Sequence, residues 1–268
     1  MSNLSSQLSK IGRPILVASH PRSGTHLTID FLRRQFSPCS SWKHWGESLD
    51  NLYLPLEAIA DQEKGISIPK SLDILSRAKR PIIKTHSDPQ LSHLTIDYSE
   101  IQLWIKHQSD RIYLIRDGRD VLCSLHLFMQ SFQPETRCPL SIFIRQKINQ
   151  YNRVRIWANH IKAWLNEPNV IFLKFEDLIQ DPELVIHLLS ERLNLHPQYV
   201  YPLLPKSPRN IWESRWNRLI KKRPESTAII GYYKGQKTLD WKKHFTTEDL
   251  DFFNKEAGDL LNQLGYKL

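Results

Sequence analysis

The chain has 268 residues, 40% of them hydrophobic, which is enough for one α/β domain with a sizeable core, and no run approaches the ~20 apolar residues of a bilayer span. Its three cysteines, Cys39, Cys123 and Cys138, show no recognisable spacing, which excludes a disulfide framework and a cysteine-ligated metal. The net charge of +9 calls for an anionic partner, and the choice lies between nucleic acid and a multiply charged small molecule.

Residues 1–12 read as a short N-terminal tail, and MSNLSSQLSK lacks the apolar core of a signal peptide, so a cytoplasmic chain is expected. Pro14 to Ala18 form a short β-branched run, stopped by the turn His20-Pro21-Arg22-Ser23-Gly24-Thr25. Leu27, Phe31, Leu32 and Phe36 follow at roughly helical spacing. Strand, glycine turn and helix N-terminus together make an anion cradle, because backbone N–H groups and the positive helix end converge there. Gly24 lets the backbone approach an anion, Ser23 and Thr25 add hydroxyl donors, and Arg22 adds a fixed charge. The cradle lacks the Gly-Lys-Ser/Thr of a nucleotide triphosphatase loop.

Residues 37–79 carry the weakest pattern, and with Trp42, Trp45 and Tyr53 could form a lid or an acceptor wall, or equally helices with no ligand role. Arg80 to Pro89, RPIIKTHSDP, is a second strand that ends in Lys84, Thr85 and His86. Residues two apart on an extended chain point the same way, so Lys84 and His86 face one cleft. A cation beside a titratable base suits transfer of an anionic group to a hydroxyl. Arg111 to Phe132 reads as a strand, a charged turn and a helix from Val121, with Asp120 as a candidate cap. Arg116 at that strand end can fork onto a second phosphate, while Asp117 or Asp120 braces the turn, and Ser124 lies just over one helical turn further on.

The spacing predicts one long helix over residues 141–166, a strand at 170–175, and a last helix capped by Thr247 or Thr246. Strands near 14–18, 81–85, 111–115 and 170–175 alternate with helices, which predicts a single α/β domain built on a parallel sheet. Ligands of such sheets gather at the carboxyl ends of the strands.

The segments PRSGT, IKTH and YLIRDGRDVLCS, together with NVIFLKFEDLIQDP and GYYKGQKTLDWKKHF, resemble in order the motifs of the sulfotransferases that use 3′-phosphoadenosine 5′-phosphosulfate (PAPS). The resemblance runs from about residue 14 to residue 246 and implies a P-loop-like nucleotide-binding fold. It implies that Arg22 bridges the 5′-phosphate and the moving sulfuryl group, with Ser23, Gly24, Thr25 and His26 as further loop donors. His86 becomes the general base on the acceptor hydroxyl, and Lys84 steadies the sulfuryl oxygens. Arg116 and Ser124, joined by Lys234 and Gly235, hold the 3′-phosphate, and Trp216 lies against adenine. The product is adenosine 3′,5′-bisphosphate, and no metal is expected, since sulfuryl transfer is mostly positioning and charge stabilisation. The acceptor would be a small molecule, glycan or lipid bearing a hydroxyl or amine, with a homodimer left open.

The chain departs from the family pattern at Leu27, Phe175 and Tyr233, where tryptophan, tyrosine and arginine are usual, and at Arg22 in place of lysine. Arginine neutralises a leaving phosphate but cannot give up a proton. The alternatives are a kinase-like transferase on the same scaffold, a catalytically silent nucleotide binder, and, for the basic charge alone, a nucleic-acid binder.

Overall fold

The computed structural model describes residues 2–60, 65–94, 98–205 and 240–268. Its centre is a five-stranded, all-parallel sheet. In chain order the strands are β1 (Ile15–Ser19), β2 (Leu54–Pro55), β3 (Ile82–Thr85) and β4 (Asp110–Ile115), and the last is β7 (Val170–Lys174). Side by side they run β2-β3-β1-β4-β7. Successive residues of β1 feed opposite layers: Leu16 and Ala18 enter one core, Ile15 and Val17 the other. Burial on both faces is why these strands read as unbroken apolar runs rather than alternating ones.

On one face of the sheet α2 (Thr25–Gln35) and α10 (Pro182–Leu193) supply the core. The other face is covered chiefly by α4 (Ile68–Ser76), α5 (Ser99–Gln108), α6 (Gly118–Met129), α8 (Arg153–Leu165) and α11 (Thr247–Gln263). α6 lies tight against α8, since a Cβ at Gly118 would be 2.6 Å from the Trp157 ring. The chain leaves β1 toward β3 on one side and β4 on the other, so the order reverses at β1 and opens a crevice at its carboxyl end. Ser19, Thr85 and Ile115 end their strands at that crevice.

The four expected strands are present within a residue or so, and several other expectations need correction. The N-terminal tail carries α1 (Ser2–Leu8), and Leu8 is buried in the core. Residues 37–79 contain β2, the short helix α3 (Leu56–Ala60) and α4, held by Ser67, whose side chain accepts from the Lys70 amide. The single helix expected over 141–166 is two: α7 (Leu140–Arg145) and α8, separated by a two-stranded hairpin, β5 (Lys147–Ile148) and β6 (Tyr151–Asn152). Asn149 takes a left-handed φ of 57° in that turn, and Asn152 then caps α8 through the Arg155 amide. Apolar spacing alone hid this break, because both helices present apolar residues to the same core.

α6 begins at Gly118 rather than Val121, and its cap is Asp117, whose carboxylate accepts from the Arg119 amide at 2.9 Å. Asp120 instead accepts from the Trp241 amide at 3.0 Å and ties the C-terminal region to the helix. Thr246 is the cap of α11, in a reciprocal capping box with Asp249. Among the described residues no helix is long and apolar enough to cross a membrane.

Candidate active site

The cradle after β1 has the shape expected from its residues. Arg22 and Gly24 both adopt left-handed backbone, with φ of 70° and 104°. The first intrahelical bond of α2 runs from the Thr28 amide to the Gly24 carbonyl at 3.1 Å, and no side chain caps the helix. The first-turn amides therefore have no intrahelical acceptors and the dipole's positive end is uncapped, which is an anion site. Ser19 and Thr25 share a 2.6 Å hydroxyl contact that staples the strand end to the helix start. A side chain at position 24 has no room, since a Cβ there would lie 2.5 Å from Cδ2 of Phe175.

Phe175, at the end of β7, has the guanidinium of Arg116 over its ring, 4.5 Å from the centroid. Arg116 is 7% exposed and donates from Nη1 to the Arg22 carbonyl at 3.2 Å. Its Nη2 stands 3.9 Å from Asp120, and its Nε is buried with no hydrogen-bond partner. Arg22 in turn donates from Nε to Ser124 Oγ at 3.2 Å and lies over Phe128 at 4.7 Å. Arg22, Arg116 and Ser124 therefore form one connected group. Ser124 is the seventh residue of α6, nearly two turns in rather than one. Burial pushes the Asp120 carboxyl up to about 6, against the pull of Arg116.

His86 is clamped on three sides. Its Nδ1 lies 2.8 Å from the carbonyl of Ser19, the residue that leads into the cradle. A carbonyl only accepts, so the proton sits on Nδ1 and the lone pair on Nε2. The His86 amide donates to Glu57 Oε1 at 2.5 Å, and the Thr85 hydroxyl donates to the same oxygen at 2.8 Å. The His86 carbonyl accepts from Nε2 of His160 at 3.0 Å, while Tyr113 donates its hydroxyl to His160 Nδ1 at 2.7 Å. Burial, with help from neighbouring Lys84, lowers the His86 pKa to about 3, so the ring is neutral at physiological pH. Burial also lowers the ammonium of Lys84, opposed by Glu57 and Asp50. His26 at the start of α2 falls to about 4, again by burial first and Lys84 second, and its ring meets Tyr53 edge-on.

The crevice thus gathers Arg22, Ser23, Gly24, Thr25, His26, Lys84, His86, Arg116 and Ser124 on the ends of β1, β3 and β4 and the starts of α2 and α6. Trp216, Lys234 and Gly235, with the departure at Tyr233, lie outside the described residues. Glu57, His160 and Tyr113 were missed from sequence, as was His20, which burial lowers to about 3 and which meets His160 edge-on. None of them is marked out by a recognisable motif; the only local hint was Glu57, a carboxylate just past the short strand β2. Among the described residues no group of three or more His, Cys, Asp or Glu could hold a metal ion.

Comparison with known proteins adds the family. The model of the sulfotransferase domain matches residues 13–265. Mouse sulfotransferase 2A6 is 24% identical over 256 residues, covering 91% of this chain and 83% of its own. Cytosolic sulfotransferase 8 of Arabidopsis thaliana is 27% identical over 193 residues, covering 67% of this chain and 54% of its own. The crystal structure of mouse sulfotransferase SULT7A1 complexed with PAP shares the fold, with a TM-score of 0.55 over 97% of this chain and 90% of that one at 17% identity.

Proposed function

This chain belongs to the sulfotransferase domain family, and we propose that it transfers a sulfuryl group from PAPS to a hydroxyl of a small-molecule acceptor, with His86 as general base. The observation that carries this reading is the Ser19 carbonyl, which fixes the His86 tautomer at the very residue where the anion cradle begins. Base and cradle are thereby one strand end apart, as an in-line transfer requires.

The donor supplies an activated sulfuryl group, and everything else falls to the chain's own residues. Nε2 of His86 takes the acceptor's hydroxyl proton as the acceptor oxygen bonds to sulfur and the bond from sulfur to the 5′-phosphate oxygen breaks. Arg22 and the amides at the start of α2 neutralise charge on the leaving phosphate, which departs as part of adenosine 3′,5′-bisphosphate. Lys84 faces the sulfuryl oxygens. Arg116, with a buried Nε that lacks an acceptor, and Ser124 fit the 3′-phosphate, to which a guanidinium can fork. The PAP named in the SULT7A1 complex supports this choice of nucleotide, and the Arabidopsis relative named as cytosolic supports a cytoplasmic setting.

Calorimetric titration with adenosine 3′,5′-bisphosphate beside AMP and ATP tests the reading. Binding that collapses without the 3′-phosphate is expected. Binding of ATP with magnesium, indifferent to the 3′-phosphate, would turn the assignment toward a kinase-like transferase.

A further inference from the structure

Arg153 opens α8 as a buried cation with almost nothing to bind. It is 8% exposed, and its Nε is buried without a hydrogen-bond partner. Its Nη1 reaches only the thioether of Met129 at 3.7 Å, and its Nη2 only the Gln146 amide oxygen at 3.4 Å. A thioether is a weak acceptor, and 3.4 Å is long for a hydrogen bond. The guanidinium carbon lies over the Phe143 ring, 4.0 Å from its centroid. Three other buried arginines have carboxylates: Arg33 pairs with Asp30, Arg77 with Glu47, Arg119 with Asp117. Arg153 enters no ion pair among the described residues. Glu135 acts on it only from beyond ion-pair distance, and an oxyanion arriving from outside would compensate the buried charge far more closely.

Both elements around Arg153 also reach the reaction centre. His160, which holds the His86 carbonyl, stands seven residues further along α8, two turns on and on the same face. At the rise of a helix the two residues are about 10 Å apart along the axis. On α6, Met129 beside Arg153 follows Phe128, the ring that packs on Arg22. The space at this end of the cleft has an apolar rim: Phe128 and Phe132 are 43% and 53% exposed, with ring centroids 5.0 Å apart.

We propose that Arg153 is the anion-recognition residue of the acceptor pocket, and that the acceptor is an alcohol whose apolar spacer carries an oxyanion, in the simplest case a carboxylate, at the end away from its hydroxyl. The proposal rests on the sulfotransferase reading above and adds the acceptor's chemical class to it. The spacer lies along the aromatic rim, the hydroxyl reaches Nε2 of His86, and the carboxylate takes the donors that Nε and Nη2 of Arg153 offer.

The test compares ω-hydroxyalkanoic acids of stepped chain length with their methyl esters, at saturating PAPS, in the wild type and in Arg153→Leu and Arg153→Gln. At the matching length the acid is expected to exceed its ester in kcat/KM by roughly tenfold or more, mostly through KM. Either variant should collapse that acid-to-ester ratio. If the variants do not fold, the ratio in the wild type decides alone. Equal use of acid and ester, a preference that survives both substitutions, or no turnover of any acid would overturn the role of Arg153. Titration of the same samples with adenosine 3′,5′-bisphosphate separates the two claims: intact nucleotide binding leaves the sulfotransferase reading standing without Arg153, and its loss in the wild type brings down both.

Discussion

The two sides of the crevice are built differently. The side proposed to take the donor hangs on backbone: strand ends in fixed register, a left-handed glycine and the first turn of α2. The side proposed to take the acceptor would hang on side chains from short pieces, α3, α7 and the β5–β6 hairpin, near the exposed rings of Phe128 and Phe132. A group common to every donor molecule can be met by backbone, whose geometry a sheet dictates. A group that differs from acceptor to acceptor is met by side chains, which can change without disturbing the sheet.

His86 sits on the seam between the two, and its removal should break the site hardest. His86→Ala is expected to lower the transfer rate by about 10²–10⁴-fold while leaving adenosine 3′,5′-bisphosphate affinity within about twofold. A large loss of nucleotide affinity in calorimetry would make His86 a donor-side residue instead. Gly24→Ala attacks the donor side through its backbone. The clash with Phe175 and a φ of 104° should together cost about 2–4 kcal/mol of stability, read from urea midpoints, with nucleotide binding lost as well. A fully stable variant would mean that the Phe175 ring moves aside.

Arg116→Ala sharpens the comparison by separating two phosphates. It should weaken adenosine 3′,5′-bisphosphate by about 2–3 kcal/mol and leave AMP nearly untouched; equal losses for both would remove the guanidinium from the 3′ site. Glu57→Gln probes the seam from the acceptor side. Weakened support for the His86 amide should lower kcat roughly tenfold with little change in donor KM. A change confined to KM would make Glu57 a contact to substrate.

The last way to test the site is stability against pH. His20 and His86 both fold with pKa values of about 3 against 6.5 unfolded. Above 6.5 neither state is charged and their neutral burial carries no penalty. As pH falls from 6.5 toward 3 the unfolded chain takes up the protons first, so stability is lost, by up to roughly 1.4 kcal/mol per pH unit for each histidine. His20→Asn should flatten that slope by one proton in unfolding titrations across the acid range. At pH values well above its pKa of about 3 the neutral His86 base should put no acid limb on the transfer rate.

The same contrast explains what could be read in the sequence. Pro14 to Ala18 and Arg111 to Ile115 announce their strands because both faces are buried, and the cradle shows itself because its turn needs Gly24. Arg116 and His86 follow from their places at strand ends. The hairpin between α7 and α8 was invisible, since two residues of strand on each side leave no period to detect. Glu57 and His160 act on the two peptide groups that flank His86 from two distant elements, and only the fold brings such partners together. Arg153 is buried and Arg155 exposed two residues on, and nothing in the sequence distinguishes the one arginine from the other.

Gly24 and Phe175 have a further consequence. The cradle loop is shaped on one side by a ring delivered from just past a strand much later in the chain, and the Arg116 guanidinium lies over that ring. The five residues PRSGT are therefore not a portable module. Grafted onto another strand and helix they would keep their hydrogen-bond donors but lose the surface against which the bend is cast. A working transplant has to carry the aromatic position with it.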